Sequence, residues 1–121
     1  MKRKDVGELG EKLAKDFLVK RGYKILETNY RCPEGELDIV AIHQKYLIFI
    51  EVRTKSNLKF CSPEESVTFA KKQKLIASAW HYRQNHDNLP QLWRIDFVSV
   101  ILGPDDKPAK INILANAVTE N

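Results

Sequence analysis

No stretch of this sequence is apolar for long enough to cross a membrane as a helix. The charged start Met1-Lys2-Arg3-Lys4-Asp5 leads into no signal-type apolar region, so a cytoplasmic location is expected. Cysteine is scarce: Cys32 and Cys61 are expected to be reduced thiols in such a setting. The three histidines, His43, His81 and His86, do not combine with them at the chain spacing of a zinc motif, and none is expected. A G-x-S-x-G nucleophile elbow and a phosphate-binding glycine-rich loop are also missing. There are no repeats and no linker-like segment. At 121 residues and 43% hydrophobic, residues 1–121 are expected to form a single domain with its own core.

What is present is a mild positive bias, with a net charge of +4. It leans toward polyanionic partners without requiring them. Basic residues gather at Lys2-Arg3-Lys4, Lys20-Arg21 and Lys71-Lys72-Gln73-Lys74, and each group taken alone reads equally well as a solvated helix face.

The informative stretch runs from Gly35 to Lys55. Two β-branched-rich runs, Leu37 to Ile42 and Leu47 to Val52, flank His43-Gln44-Lys45 and predict a β-hairpin. Pairing Ile42 with Leu47 puts Val40 opposite Phe49, Asp38 opposite Glu51 and Glu36 opposite Arg53. Side chains alternate along a strand, so these eight share one face, and Leu37, Ile39, Ala41, Ile48, Ile50 and Val52 share the other. Like charges facing each other destabilise a sheet. Asp38 aimed at Glu51 therefore calls for a cation, and Mg2+, a hard ion that takes carboxylate and phosphate oxygens, suits the pair. The alternative is a polar strand end at the solvent, with Glu36–Arg53 a surface ion pair of little consequence.

Around the hairpin, Val6 to Arg21 reads as an amphipathic helix with Leu9, Leu13, Ala14, Phe17 and Leu18 inward, Asp5 as its cap and Gly22 as its end. Glu11 lies beside the apolar stripe, where it could point over the sheet edge or simply face solvent. Tyr23 to Thr28 reads as a strand and Asn29 to Gly35 as a loop. Ser56 to Cys61 reads as a mobile polar segment placed to approach a substrate. Ser62, Pro63 and Glu65 form a capping-box start for a second helix reaching about Gln84. Trp80, Tyr82 and Trp93 read as core or rim aromatics. Asn85 to Pro90 is a loop, Leu92 to Leu102 a strand, Gly103 to Asp106 a turn, and Lys110 to Leu114 a last short strand. A helix between the Glu51 and Asp96 strands implies a parallel crossover, giving an α/β fold with a central mixed sheet flanked by helices.

Gly7-x-x-Gly10-Glu11-x-x-Ala14, Gly22-Tyr23, Asn29-Tyr30-Arg31, Gly35-Glu36-Leu37-Asp38, Phe49-Ile50-Glu51-Val52-Arg53 and Arg94-x-Asp96 together resemble the YraN-type family. That family consists of predicted endonuclease-like proteins of the restriction-endonuclease-like fold, related to archaeal Holliday-junction resolvases. The resemblance covers nearly the whole chain. It implies that Glu11, Asp38 and Glu51 hold Mg2+ or Mn2+ and that Asp38, Glu51, Arg53 and Lys55 form the catalytic set. DNA is then the expected partner, branched or otherwise structured, with Arg31, Lys55, Lys71, Lys72 and Lys74 on its phosphates, and resolvases of this fold act as homodimers.

Arg53 departs from the pattern of the nuclease fold, whose active-site position normally holds lysine. Arginine cannot act as a base, although it binds phosphate bidentately. Three consequences stay open: Arg53 acts electrostatically in a working nuclease, Lys55 takes over from the same strand face, or cleavage is lost and a noncatalytic nucleic-acid-binding module remains.

Overall fold

The computed structural model describes residues 3–55 and 67–118. Helix α1 (Arg3–Lys20) leads into strands β1 (Lys24–Cys32), β2 (Gly35–His43) and β3 (Tyr46–Lys55). Helix α2 (Phe69–Gln84) follows, then β4 (Leu92–Leu102), a 3-10 turn (Pro104–Asp106) and β5 (Pro108–Val118). The strands form one mixed sheet in the order β1-β2-β3-β4-β5. All neighbours are antiparallel except β3 and β4, which are parallel. The expected α/β class and parallel crossover are thus observed. None of the described helices is long and apolar enough to cross a membrane.

The core has two layers, one on each face of the sheet. On one face Ala14 and Leu18 of α1 pack with Ile39, Ala41, Ile48, Ile50, Val98 and Val100. On the other, Leu75, Ile76, Ala79 and Tyr82 of α2 pack with Val40, Leu47, Phe49, Ile95 and Phe97. Strand alternation produces this division, because β2, β3 and β4 are covered on both sides and carry apolar residues at odd and even positions. The aromatics expected at the core or rim fall there: Tyr82 is buried, while Trp80 stands edge-on to Trp93 at the margin.

Several boundaries differ from the sequence reading. Asp5 lies inside the first turn of α1 rather than capping it, a position where its charge still suits the helix dipole. The helix does end as expected: Tyr23 N–H donates to the Leu18 carbonyl, and Gly22 takes φ +90°. Strand β1 continues through the segment read as a loop: it keeps one register with β2 from Glu27↔Val40 to Cys32↔Gly35, across Asn29 with its left-handed φ of 53°, and its one shift lies between Ile25 and Glu27. Only Pro33 and Glu34 are left to turn. Helix α2 starts at Phe69, where the Thr68 side chain accepts the Lys71 N–H at 3.1 Å. Ser62, Pro63 and Glu65, read as its capping box, lie outside the described residues, as do Ser56 to Cys61. Strand β5 runs from Pro108 to Val118, well beyond Lys110 to Leu114.

The contact between α1 and the sheet is set by Gly10. A Cβ there would overlap the Thr54 side chain, coming within 2.7 Å of its Cβ. Glycine alone permits that approach, and it holds the next residue, Glu11, beside the Asp38–Glu51 end of the hairpin.

Candidate functional site

The hairpin register is as read from the sequence for Ile42↔Leu47 and Val40↔Phe49, but the β2–β3 ladder stops at Ile39↔Ile50. Beyond that point the two strands part. Gly35 to Leu37 pair with β1, while Glu51 to Lys55 pair with β4 from Phe97 to Ile101. The sheet therefore forks between β2 and β3, and Asp38 and Glu51 stand where it opens. In place of a ladder bond, the Asp38 Oδ2 accepts the Val52 N–H at 2.8 Å.

The fork changes two assignments. Leu37 packs with Val40 and Phe49, whereas Ile39 packs on the opposite face, so alternation is interrupted at Asp38. The break falls beside Asn29, the left-handed residue of β1. Glu36 does not form with Arg53 the surface ion pair that the alternative reading offered. Its ion pair is with Arg31 across the β1–β2 ladder, at 3.6 Å, and Arg53 reaches the Glu51 Oε2 at 3.8 Å.

Glu51 is 5% exposed, and a buried carboxylate needs partners. Lys71, from the first turn of α2, supplies one at 3.3 Å from the same oxygen that Arg53 approaches. Asp38 is hydrogen-bonded to Glu51, and its carboxyl is pushed up to about 8. Burial is the main cause, followed by the charge and the hydrogen bond of Glu51, with the Val52 N–H pulling the other way.

Glu11 adds a third carboxylate from α1. Its pKa is also raised, by burial first and then by Glu36, Glu51 and Glu8. Asn29 ties it to the hairpin: with its amide nitrogen toward the carboxylates, it donates to Glu11 Oε1 at 2.9 Å and to Glu36 Oε1 at 3.2 Å. A cleft of about 270 Å3 opens beside this corner, lined by Glu8, Glu11, Lys12, Lys15, Thr28, Asn29 and Ile39. The three carboxylates are gathered but not clasped. Among the described residues, three donor atoms within 4.8 Å of one another occur elsewhere, at Cys32, Glu34 and His81.

The basic residues singled out from sequence distribute unevenly. Lys71 and Arg53 are in the site. Lys55 ends β3 beside Ile101 and shares a strand face with Arg53 by alternation. Lys72 and Lys74 continue the first turns of α2, Lys74 lying beside the position a Gly35 Cβ would take. Arg31 is mostly exposed and paired with Glu36. In the sequence Asn29 stands only as part of a motif and its bridging role is not legible; an asparagine interrupting a strand-like run is the available signal. Arg94-x-Asp96 belongs to the architecture rather than to the fork. Arg94 Nε donates to both Asp96 oxygens, at 2.9 and 3.1 Å, and Asp96 Oδ1 accepts the Asn116 N–H at 2.8 Å.

Residues 10–100 match the profile of the group described as uncharacterised protein family UPF0102. The chain is similar to a UPF0102 protein of Dehalococcoides mccartyi, at 49% identity over 120 residues covering 98% of this chain and 96% of the relative. It is likewise similar to UPF0102 proteins of Caldicellulosiruptor bescii and Clostridioides difficile. Each is 42% identical, across 97% of this chain and 99% of the relative.

Proposed function

This chain belongs to uncharacterised protein family UPF0102, and from that premise and the forked sheet we propose that it is a metal-dependent endonuclease-like protein acting on DNA. The proposal includes a restriction-endonuclease-like arrangement of the sheet and a preference for branched or otherwise structured substrates. One observation carries it: the fork holds Asp38 against the buried Glu51, and Glu11 stands within electrostatic reach of both. A fold bears such a pair most readily where a cation joins it.

The donor set fits a hard divalent ion. Asp38 and Glu51 offer only oxygen, and Glu11 stands within electrostatic reach of both. These three carboxylates would hold Mg2+ or Mn2+, which supplies Lewis-acid polarisation of a phosphoryl oxygen and a lowered pKa for water. The chain's own cations then do the positioning. Arg53 binds a phosphate or orients a water without serving as a base. Lys71 and Lys55 neutralise charge on the scissile group and its neighbour. Arg31, Lys72 and Lys74 bind flanking phosphates, which gives affinity that falls with salt and carries no base sequence.

The second reading is a noncatalytic nucleic-acid-binding module, and it too has an observation in its favour. Lys71 and Arg53 already approach Glu51 Oε2, so cations of the chain itself compete for the oxygen a metal would use. Cleavage of labelled four-way-junction, flap and plain duplex DNA in Mn2+ decides between the readings, with Asp38→Asn and Arg53→Lys alongside the wild type. Cleavage abolished by Asp38→Asn supports the nuclease. Salt-sensitive binding with cleavage only by Arg53→Lys supports the module, and neither binding nor cleavage refutes both.

A further inference from the structure

A second cluster of ligating side chains lies away from the fork, where the β1–β2 turn meets α2. Cys32 ends β1, Glu34 is in the turn and His81 comes from α2. One donor atom from each falls within 4.8 Å of the other two. Around a tetrahedral zinc ion, ligand atoms stand about 3.3–3.8 Å apart, so a contraction of about 1 Å closes the set. The tight seat of the turn on the helix produces this proximity. A Cβ on Gly35 would come within 3.0 Å of Ser78 Oγ, three residues before His81, so the turn rests directly on α2.

The chemistry differs from that of the fork. A thiolate, an imidazole and a carboxylate make a borderline-soft set that suits Zn2+ or Co2+, whereas Mg2+ and Mn2+ prefer the all-oxygen carboxylates. The histidine is also oriented from behind. The Tyr30 hydroxyl is 2.7 Å from His81 Nδ1; with Nδ1–H donating to that hydroxyl oxygen, Nε2 is the nitrogen left for an ion. Nδ1–H donating to a fixed oxygen is the usual support of a metal-bound imidazole. Tyr30 is itself held edge-on to Tyr82, which is buried. Cys32 is a free thiol of intermediate exposure, so an ion has a path to it.

We propose that Cys32, Glu34 and His81 form a site for a zinc-class divalent cation that clamps the β1–β2 turn to α2. Three protein ligands leave a fourth position for water or an incoming anion. The chain spacing of 49 residues between Cys32 and His81 hid the site from any motif search; only the docking of the turn on the helix brings them together.

Co2+ and Zn2+ added to the full-length protein, purified metal-free under reducing conditions, test the site. Co2+ is expected to give thiolate-to-cobalt charge-transfer absorption, and Zn2+ to displace it at one equivalent while raising the melting temperature. Cys32→Ser is expected to abolish the absorption, and His81→Gln to weaken Zn2+ binding at least about 100-fold. Tyr30→Phe, which only unsupports the imidazole, should weaken it about 10- to 100-fold. Asp38→Asn and Cys61→Ser should leave the charge-transfer absorption in place, separating its thiolate ligand from the fork and from the other cysteine. The absence of charge-transfer absorption in the wild type overturns the proposal, even if a ligand variant fails to fold. So does absorption that survives Cys32→Ser or is lost with Cys61→Ser or Asp38→Asn.

Discussion

Replacing Asp38 with asparagine tests the physics of the fork without any substrate. The protonated Asp38 accepts the Val52 N–H and is hydrogen-bonded to Glu51. Asparagine reproduces that form permanently: its oxygen accepts from Val52 and its amide nitrogen donates to Glu51. In the wild type, the folded chain keeps the Asp38 proton up to about 8, whereas the unfolded chain releases it near the ordinary 3.8. Below pH ~4 both states hold the proton. Between ~4 and ~8 only the folded state does, so stability falls as pH rises, and above that range the loss is complete.

The span from 3.8 to about 8, at ~1.4 kcal/mol for each tenfold change, bounds the loss near ~6 kcal/mol. Two unit charges ~4 Å apart at an effective dielectric of ~20 give ~4 kcal/mol, a figure that lets the surroundings respond. That figure is the charge part alone; burial, the main cause, adds to it while Lys71 and Arg53 offset some of it, so ~4 kcal/mol is the working value, with the fall complete between pH ~7 and ~8. For a domain of this size that is about 15 °C in melting temperature. Thermal melts in EDTA from pH 5 to pH 9 should show wild type falling progressively below Asp38→Asn. A difference that stays constant with pH, or an Asp38→Asn protein less stable at pH 9, refutes the facing-carboxylate argument.

The other predictions concern what holds the fork in place. Gly10→Ala should cost about 1–3 kcal/mol by forcing a methyl group into Thr54, with partial rescue by Thr54→Ala, read by urea unfolding. It should also weaken Mn2+-induced stabilisation, because Glu11 moves with the helix. Asp96→Asn should cost about 3 kcal/mol, since Arg94 loses its buried anion. In folded Asp96→Asn protein the Mn2+ response should persist, because Arg94 and Asp96 make their bonds with each other and with β5 rather than with the fork.

What was legible in the sequence follows from which interactions are local. Strand alternation and β-branched runs identify β2 and β3, and the short loop fixes Val40 opposite Phe49, because register in a hairpin is set near its turn. The facing of Asp38 and Glu51 was legible for the same reason. Its consequence, the parting of the strands, was not, since it depends on where β1 and β4 take the freed backbone groups. The Glu36–Arg53 pairing failed at that point, because extrapolating a register assumes the ladder continues. Asn29 reads as a breaker and so shortens the β1 that the sequence predicts, yet a left-handed asparagine can sit within a strand as well as end one. The Cys32–Glu34–His81 grouping was least legible, since it exists only through tertiary docking.

The fork and the cysteine cluster share one cause. A hairpin that remained paired to its open end would carry Asp38 against Glu51 with no room between them, and Gly35 to Leu37 would stay beside β3. Once the ladder ends at Ile39↔Ile50, that segment belongs to β1 alone and leans onto α2, where Leu37 joins the α2-side core and Gly35 meets Ser78. The same departure brings Lys71 of α2 within 3.3 Å of Glu51 and Cys32 within reach of His81. Closing the fork would therefore disturb both places together. An ion that neutralised the carboxylates would act on the strand angle, and an ion bound at the turn would fix the helix that carries Lys71. The measurable consequence is coupling between unlike metals: if the fork is shared, Zn2+ at the turn changes the affinity for Mn2+ at the carboxylates, and Mn2+ changes that for Zn2+ by the same factor.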